Sequence, residues 1–150
     1  MNDHRKRVLF VCIGNSCRSQ MAEAFGRALG ADVMIAASAG LAPAWGVAAD
    51  TIRAMDEKHI SLRDHFPKSL ESLARIRFDV IVNMSQRPLP EALPGRVLEW
   101  EIPDPIGLSY EEHCQVRNEI QRKVVQFIEE LRREDMAPHF RGQGSGQVPL

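Results

Sequence analysis

The chain has 150 residues, of which 44% are hydrophobic and 26% are charged, and its formal net charge is −1. This length suits one domain with a substantial core and is short for two. Proteins that bind nucleic acid or anionic membranes usually carry a basic excess, which this chain lacks, so neither partner is expected.

A basic cluster, Arg5-Lys6-Arg7, precedes the first apolar stretch, and we predict that residues 1–7 form a flexible arm. The arrangement mimics a secretion signal, but the apolar stretch is too short and leads into Gly14-Asn15-Ser16 without a cleavage site. No stretch has the length of a membrane span. Three cysteines without a signal favour a reducing compartment over a disulfide framework, so we predict a cytoplasmic protein.

Four short apolar segments rich in β-branched residues are typical of buried strands: 8–11, 33–37, 79–84 and 96–100. Between and after them, apolar residues recur at three- and four-residue intervals, which predicts helices over 19–29, 48–58 and 110–133. Helices that alternate with such strands indicate a parallel sheet covered on both faces. We therefore predict a single α/β domain over residues 8–133, with three αβα layers around a four-stranded parallel sheet.

The remaining segment, residues 134–150, turns polar and includes Gly-Gln-Gly-Ser-Gly at 142–146. A segment of this composition buries too little apolar surface to order itself, so we predict a disordered tail.

The loop between the first strand and the first helix carries the clearest chemical signal. Cys12 directly follows the strand, and Ser19 or Gln20 opens the helix, so residues 13–17 form a turn at the carboxyl edge of the sheet, where open parallel sheets bind ligands. The N–H groups of such a turn can converge on one spot, and the helix dipole reinforces the resulting anion site. Gly14 and Asn15 both tolerate the backbone angles that such a turn requires.

A cysteine in this position favours nucleophilic chemistry. The helix N-terminus and a nearby cation promote the thiolate of Cys12, Arg18 offers a planar two-pronged donor for phosphate oxygens, and Ser19 can donate a hydrogen bond to the sulfur. The alternative is a buried structural cysteine, which is the commoner role of a cysteine at a strand end. The spacing Cys-x5-Arg alone has little weight, but a strand before it, Gly and Asn within it and a helix after it favour the functional interpretation.

The stretch VCIGNSCRSQMAEAF resembles the phosphate-binding loop of the low-molecular-weight protein tyrosine phosphatases and of the arsenate reductases that share their fold. The resemblance extends from about residue 8 to 133. It implies that Cys12 is a nucleophile that forms a phosphocysteine, and that Arg18 and the loop amides bind the phosphoryl oxygens. These loop residues are Ile13, Gly14, Asn15, Ser16 and Cys17.

The same resemblance implies supporting roles for several residues. Asn15 would hold the strained loop and Ser19 would stabilise the thiolate. Cys17 matches a cysteine that can pair reversibly with the nucleophile under oxidation, with plain packing as the alternative. Ser38 matches a serine that helps to fix the loop asparagine, and His65 matches a histidine of the same network, although a surface position is as plausible. Trp45 matches an aromatic wall of the substrate cleft, or else caps the core.

A phosphatase also needs a proton donor for the leaving oxygen. Asp104 lies between Pro103 and Pro105 after the last predicted strand, on a stiff loop at the same edge of the sheet. The resemblance implies that it is the general acid and later the base; taken alone, the motif would read as a turn. The remaining histidines are scattered, so neither a metal site nor a cofactor is expected.

Two departures from the phosphatase pattern leave the substrate open. Gln20 stands where phosphatases commonly have proline, and Ile106 stands where they have an aromatic residue, so the loop looks more like that of the reductases. Thioredoxin-coupled reductases, however, use two further cysteines after the third strand, and residues 82–88 contain none. Cys114 lies on the last predicted helix.

Three functions therefore remain in view. We favour hydrolysis of a phosphorylated protein or a small aryl phosphate. A reductase that borrows an external thiol needs only Cys12 and stays open. A non-catalytic phosphate-binding module is disfavoured, because anion binding requires neither Cys12 nor Asp104.

Overall fold

The computed structural model describes residues 3–90, 93 and 95–147, with side chains described as far as residue 136. Four strands, β1 (Lys6–Cys12), β2 (Met34–Gly40), β3 (Val80–Asn83) and β4 (Arg96–Glu99), are joined by two helices, α1 (Arg18–Leu29) and α2 (Ala49–Asp56). A short 3-10 helix, Glu71–Leu73, precedes β3, and a third helix, α3 (Tyr110–Gln147), follows β4.

The strands form one parallel sheet in the order β2-β1-β3-β4. Cys12 at the end of β1 is paired with Gly40, and Val11 is paired with Asn83, so the carboxyl ends of the strands are level. The loops that follow these strands consequently meet at one edge. This architecture confirms the predicted α/β fold and its four-stranded parallel sheet.

Both faces of β1 are buried, which explains why its sequence lacks alternation. Val8 and Phe10 pack on one face with apolar residues of all three helices, among them Phe25, Met55 and Ile120. Leu9 and Val11 pack on the other face with Leu70, Phe78 and Ile81, so the layer on this side is thin and includes the 3-10 helix.

The prediction that 96–100 is a buried strand is wrong in one respect. Arg96, Val97 and Glu99 of β4 are exposed, because only Leu98 and, just after the strand, Trp100 pack against the core, and no described residue of β4 belongs to the apolar cluster on the opposite face of the sheet. Its apolar residues cover the core incompletely, with Val97 42% exposed.

The two ends of the domain also differ from the sequence prediction. Lys6 and Arg7 belong to β1 because they pair with Met34 and Ile35, although both fall within the predicted flexible arm. The backbone of α3 continues to Gln147 through most of the predicted disordered tail, since extending an existing helix requires no new nucleus. Residues 1–2 and 148–150 lie outside the described residues. Within the described chain, none of the helices combines the length and apolarity of a membrane crossing.

Candidate active site

Cys12 lies at the end of β1 with its sulfur next to the first turn of α1. Its Sγ is 2.9 Å from Ser19 Oγ, and Asn15 Nδ2 donates to the same Oγ at 2.7 Å. Because an amide nitrogen only donates, Ser19 Oγ is the acceptor in that bond, and its own hydrogen is available to the sulfur. Ser19 can therefore stabilise negative charge that develops on Cys12.

The carbonyl groups of the loop from residue 12 to 17 are all engaged. Main-chain N–H groups bond five of them at 2.8–3.1 Å, and a side chain bonds the sixth: Leu41 to Cys12, Ala42 to Ile13, Ala44 to Gly14, Ala48 to Ser16, Met21 to Cys17, and Gln20 Nε2 to Asn15. Among the hydrogen bonds of the described residues, none uses an N–H of residues 13–17 as donor. Since the C=O and N–H of a peptide point in opposite directions, these N–H groups face the other side of the loop and form an anion cradle.

Asn15 has the most unusual backbone of the loop, with a φ of 51°, and its side chain is fully buried. Asparagine is among the residues that enter this left-handed region most readily. Its Oδ1 accepts the N–H of Lys68 at 3.0 Å, and its Nδ2 donates to Ser19. Both ends of the amide are therefore held, and the strained residue has a fixed orientation.

Arg18 is buried at the start of α1, with 2% of its surface exposed. Its Nη1 donates to Met84 O at 2.6 Å, Gln86 Oε1 at 2.9 Å and Ile102 O at 3.1 Å. These partners follow β3 and β4, so one guanidinium joins the loops of three strands. With Nη1 engaged in this way, the edge formed by Nε and Nη2 is the part that suits two oxygens of a tetrahedral anion.

Asp104 faces that same guanidinium. Its Oδ2 is 3.6 Å from Arg18 Nη2, and its Oδ1 accepts the N–H of Ile106 at 3.1 Å. Nearly half of the Asp104 side chain is exposed, whereas Arg18 is enclosed. The structure therefore brings Asp104, which is distant in sequence, to the same edge of the sheet as Cys12 and Arg18.

Among the hydrogen bonds of the described residues, Ser38 bonds Glu23 and not Asn15, which differs from the expectation from the sequence. Its hydroxyl donates to Glu23 Oε1 at 2.5 Å, and Glu23 also pairs with Arg27 at 2.7 Å. The buried carboxylate of Glu23 is the stronger acceptor, so it takes the serine, and Asn15 is held by other groups.

His65 and Trp45 occupy different environments. His65 Nδ1 is 2.8 Å from Gln20 Oε1, so His65 reaches Asn15 through Gln20. Trp45 is fully exposed and does not cap the core. It lies on the segment 41–48, whose main chain bonds the loop.

Cys17 is buried with 3% of its surface exposed, and its Sγ is 3.7 Å from Ser16 Oγ. Burial raises the pKa of the Cys17 thiol, although hydrogen bonds from Thr51 and Ser16 oppose the shift. All three cysteines of the chain are free. A reversible pairing of Cys12 with Cys17 stays a prediction.

Two buried polar residues near the site were not assigned a role from the sequence. The sequence marks Gln20 as a possible start of the first helix and as a departure from proline, and the structure shows that it also bonds Asn15 and His65. His113 is 2% exposed, and its Nε2 is 2.9 Å from Thr51 Oγ1. The burial of His113 could have been predicted, because His113 is three residues before Val116 and seven before Ile120 and so lies on the same buried face of the predicted helix.

Burial lowers the pKa values of His113 and His65, and for His113 this effect outweighs the nearby carboxylates of Asp50 and Asp104. Below an unfolded pKa of about 6.5, the unfolded chain therefore binds more protons than the folded protein. The stabilisation is complete above that pH and is lost as pH falls through the lowered folded values.

We expect the free energy of unfolding to decrease between pH 7.5 and 5.5, by at most about 1.4 kcal/mol per pH unit for each histidine. Urea unfolding at both pH values measures the change. His113→Gln keeps an amide near the position of Nε2 and removes the titration, so its stability should depend less on pH. An identical pH dependence in the variant and the native protein would contradict the assignment.

The comparison with known proteins adds an independent result. The family model "Low molecular weight phosphotyrosine protein phosphatase" matches residues 7–137. The chain belongs to this family. Curated relatives of the chain include an arsenate reductase of Bacillus cereus (strain Q1), 33% identical over 131 residues, which are 85% of this chain and 97% of the relative. Arsenate reductase 2 of Staphylococcus saprophyticus is 34% identical over 129 residues, or 83% and 98% of the two chains.

Solved structures of the family agree with this placement. A structure described as an arsenate reductase in the phosphate binding state has a TM-score of 0.76 at 30% identity and covers 84% of this chain and 98% of its own. The Erwinia amylovora tyrosine phosphatase amsI has a TM-score of 0.73 at 25% identity, with coverage of 84% and 93%. The chain is thus similar to proteins named as arsenate reductases and to one named as a tyrosine phosphatase.

Proposed function

We propose that this protein is a low-molecular-weight cysteine phosphatase that hydrolyses phosphotyrosine or aryl phosphate esters through a phosphocysteine. The observation that carries the proposal is the position of Asp104, whose Oδ2 is 3.6 Å from the Arg18 guanidinium. A site that only binds an oxyanion gains nothing from a carboxylate there, since the carboxylate repels the anion. A hydrolase requires one to protonate the leaving group.

In the first chemical step, the Cys12 sulfur attacks phosphorus and forms a P–S bond while the bond to the ester oxygen breaks. The loop N–H groups and Arg18 stabilise the charge on the three equatorial oxygens. Asp104 in its acid form gives its proton to the departing oxygen. Ile106 N–H holds Oδ1, which leaves Oδ2 for this transfer.

In the second step, the Asp104 carboxylate takes a proton from a water molecule as the water oxygen attacks the phosphocysteine. The P–S bond breaks, phosphate leaves, and the Cys12 thiolate is restored. The hydroxyl of Ser19, 2.9 Å from Sγ, stabilises the sulfur as a leaving group. Asp104 thus returns to its acid form without a cofactor.

The same site supports the proposed substrate class. A phosphorylated protein or a small aryl phosphate presents a dianionic group to the loop and an aromatic leaving oxygen to Asp104.

Reduction of arsenate is the second candidate, and the names of the curated relatives favour it. The segment after β3, residues 84–88, reads Met-Ser-Gln-Arg-Pro and carries no thiol for an internal relay. A reductase of this sequence would therefore require an external thiol to attack arsenate bound at Cys12.

Two paired assays separate the candidates. Hydrolysis of p-nitrophenyl phosphate and of a phosphotyrosine peptide, without measurable formation of arsenite from arsenate and glutathione, is the result expected for the phosphatase. Arsenite formation without ester hydrolysis would replace the proposal by the reductase. Phosphate binding with neither activity would indicate a binding module.

A further inference from the structure

The carbonyl of Asn15 is held differently from the other carbonyls of the loop. Main-chain N–H groups bond the other five, whereas Asn15 O is bonded by the side chain of Gln20. Gln20 is fully buried in the first turn of α1. Burying an amide is costly unless its polar atoms are satisfied, and those of Gln20 all have partners.

The surroundings of Gln20 determine which way its amide points. Nε2 lies 3.0 Å from Asn15 O, 3.2 Å from Asn15 Oδ1 and 3.0 Å from Phe66 O. An oxygen in this position would face three other oxygens, so the nitrogen belongs there and Oε1 points to His65. Because Oε1 only accepts, His65 Nδ1 is the donor in the 2.8 Å bond between them. This requirement selects the His65 tautomer with hydrogen on Nδ1.

The bond to Asn15 O has a consequence for the anion cradle. Asn15 C=O and Ser16 N–H belong to one peptide unit and point in opposite directions. Holding the oxygen against Gln20 turns the Ser16 N–H to the side that faces the anion. If this peptide rotated, a carbonyl oxygen would replace a donor in the cradle, and the φ of 51° at Asn15 makes this the strained unit of the loop.

We propose that Gln20 and His65 are positioning residues that form a hydrogen-bond relay to the loop. His65 Nδ1–H orients the Gln20 amide, Gln20 holds Asn15 O, and Ser16 N–H is thereby directed at the oxyanion. Neither side chain touches the ligand. The relay rests on the anion site of the proposed function, but its operation does not depend on whether the bound oxyanion is hydrolysed.

The first test measures the affinity for inorganic phosphate by calorimetry in Gln20→Met, which keeps the size of the side chain and removes its polar atoms. Loss of one hydrogen bond to a charged ligand predicts binding weaker by roughly ten- to a hundredfold. The matched control is Phe25→Leu, a buried position on the same helix, α1, that packs in the core and has no bond to the loop among the described residues. It should lower the melting temperature and leave phosphate affinity unchanged. Unchanged affinity in folded Gln20→Met would overturn the relay.

A second test separates the two nitrogens of the histidine. Asparagine can place an amide N–H where His65 has Nδ1, so His65→Asn should bind phosphate within about threefold of the native protein, whereas His65→Phe should lose about tenfold. Nitrogen NMR of the native protein should find hydrogen on Nδ1 at pH 7.5. Hydrogen on Nε2 alone would overturn the relay even if no variant folds.

The outcomes for the relay and for the phosphatase are distinguishable. A native protein that binds phosphate without hydrolysing any ester contradicts the proposed function, while the comparison of Gln20→Met with the native protein still decides the relay. A native protein that does not bind phosphate overturns both.

Discussion

Cys12→Ser is expected to lower kcat/KM for p-nitrophenyl phosphate by at least about ten-thousandfold. A serine hydroxyl is a far weaker nucleophile than a thiolate, and no base in the described part of the site is placed to activate it. The anion cradle consists of N–H groups and Arg18, so this variant should still bind inorganic phosphate.

Steady-state kinetics and phosphate calorimetry on the same preparation measure both expectations. Cys114→Ser is the matched control, because Cys114 is a partly buried thiol on α3 that lies outside the anion site. A Cys12→Ser protein with more than a few per cent of native activity would remove Cys12 from the nucleophile position. An equal loss of kcat/KM in Cys12→Ser and Cys114→Ser would show that the loss is not specific to Cys12.

Asp104→Asn is expected to discriminate between substrates. For esters with poor leaving groups, such as phenyl phosphate or a phosphotyrosine peptide, kcat/KM should fall by roughly a hundred- to ten-thousandfold. For p-nitrophenyl phosphate, whose leaving group needs little protonation, the loss should be less than about tenfold. The value of kcat/KM is the informative quantity, because it excludes the later hydrolysis of the phosphocysteine.

Asparagine keeps Oδ1 as the acceptor for Ile106 N–H, so the loop should retain its conformation. Glu101→Gln serves as control, since Glu101 is an exposed carboxylate near Asp104 with no contact to Arg18 among the described residues. Equal loss on both substrate classes would contradict the role of Asp104 as general acid. If Glu101→Gln changed kcat/KM as much as Asp104→Asn does, the cause would be the loss of a negative charge near the site and not the loss of a proton donor.

The parts of the fold that could be predicted are those with strong local signals. The four strand positions could be predicted from apolar runs, because burial in the sheet requires apolar residues. The loop after β1 could be predicted from its glycine and asparagine, because they tolerate the backbone angles of a tight turn. The exposure of β4 could not be predicted in this way. β2 is also an edge strand and is largely buried, so the exposure of β4 depends on which elements cover each face of the sheet, and local sequence does not encode that covering.

The site shows the same division. Cys12 and Arg18 lie six residues apart and could be recognised together, and the prolines around Asp104 marked it as a fixed side chain. Gln20 escaped recognition because its partners, Asn15 O, Phe66 O and His65, include main-chain atoms and a residue far along the chain. The hydrogen bond from Ser38 to Glu23 could not be predicted, because the choice of the serine hydroxyl between Glu23 and Asn15 depends on interatomic distances that the sequence does not give.

The segment from 41 to 48 bonds the loop of residues 12–17 through the main-chain N–H groups of Leu41, Ala42, Ala44 and Ala48. Replacing its side chains leaves those supports in place, provided that no proline is introduced at the donating positions. Trp45 projects from this same segment into solvent. Substitutions at Trp45 therefore leave the hydrogen bonds that hold the loop in place, so the surface beside the loop can vary independently of the anion cradle.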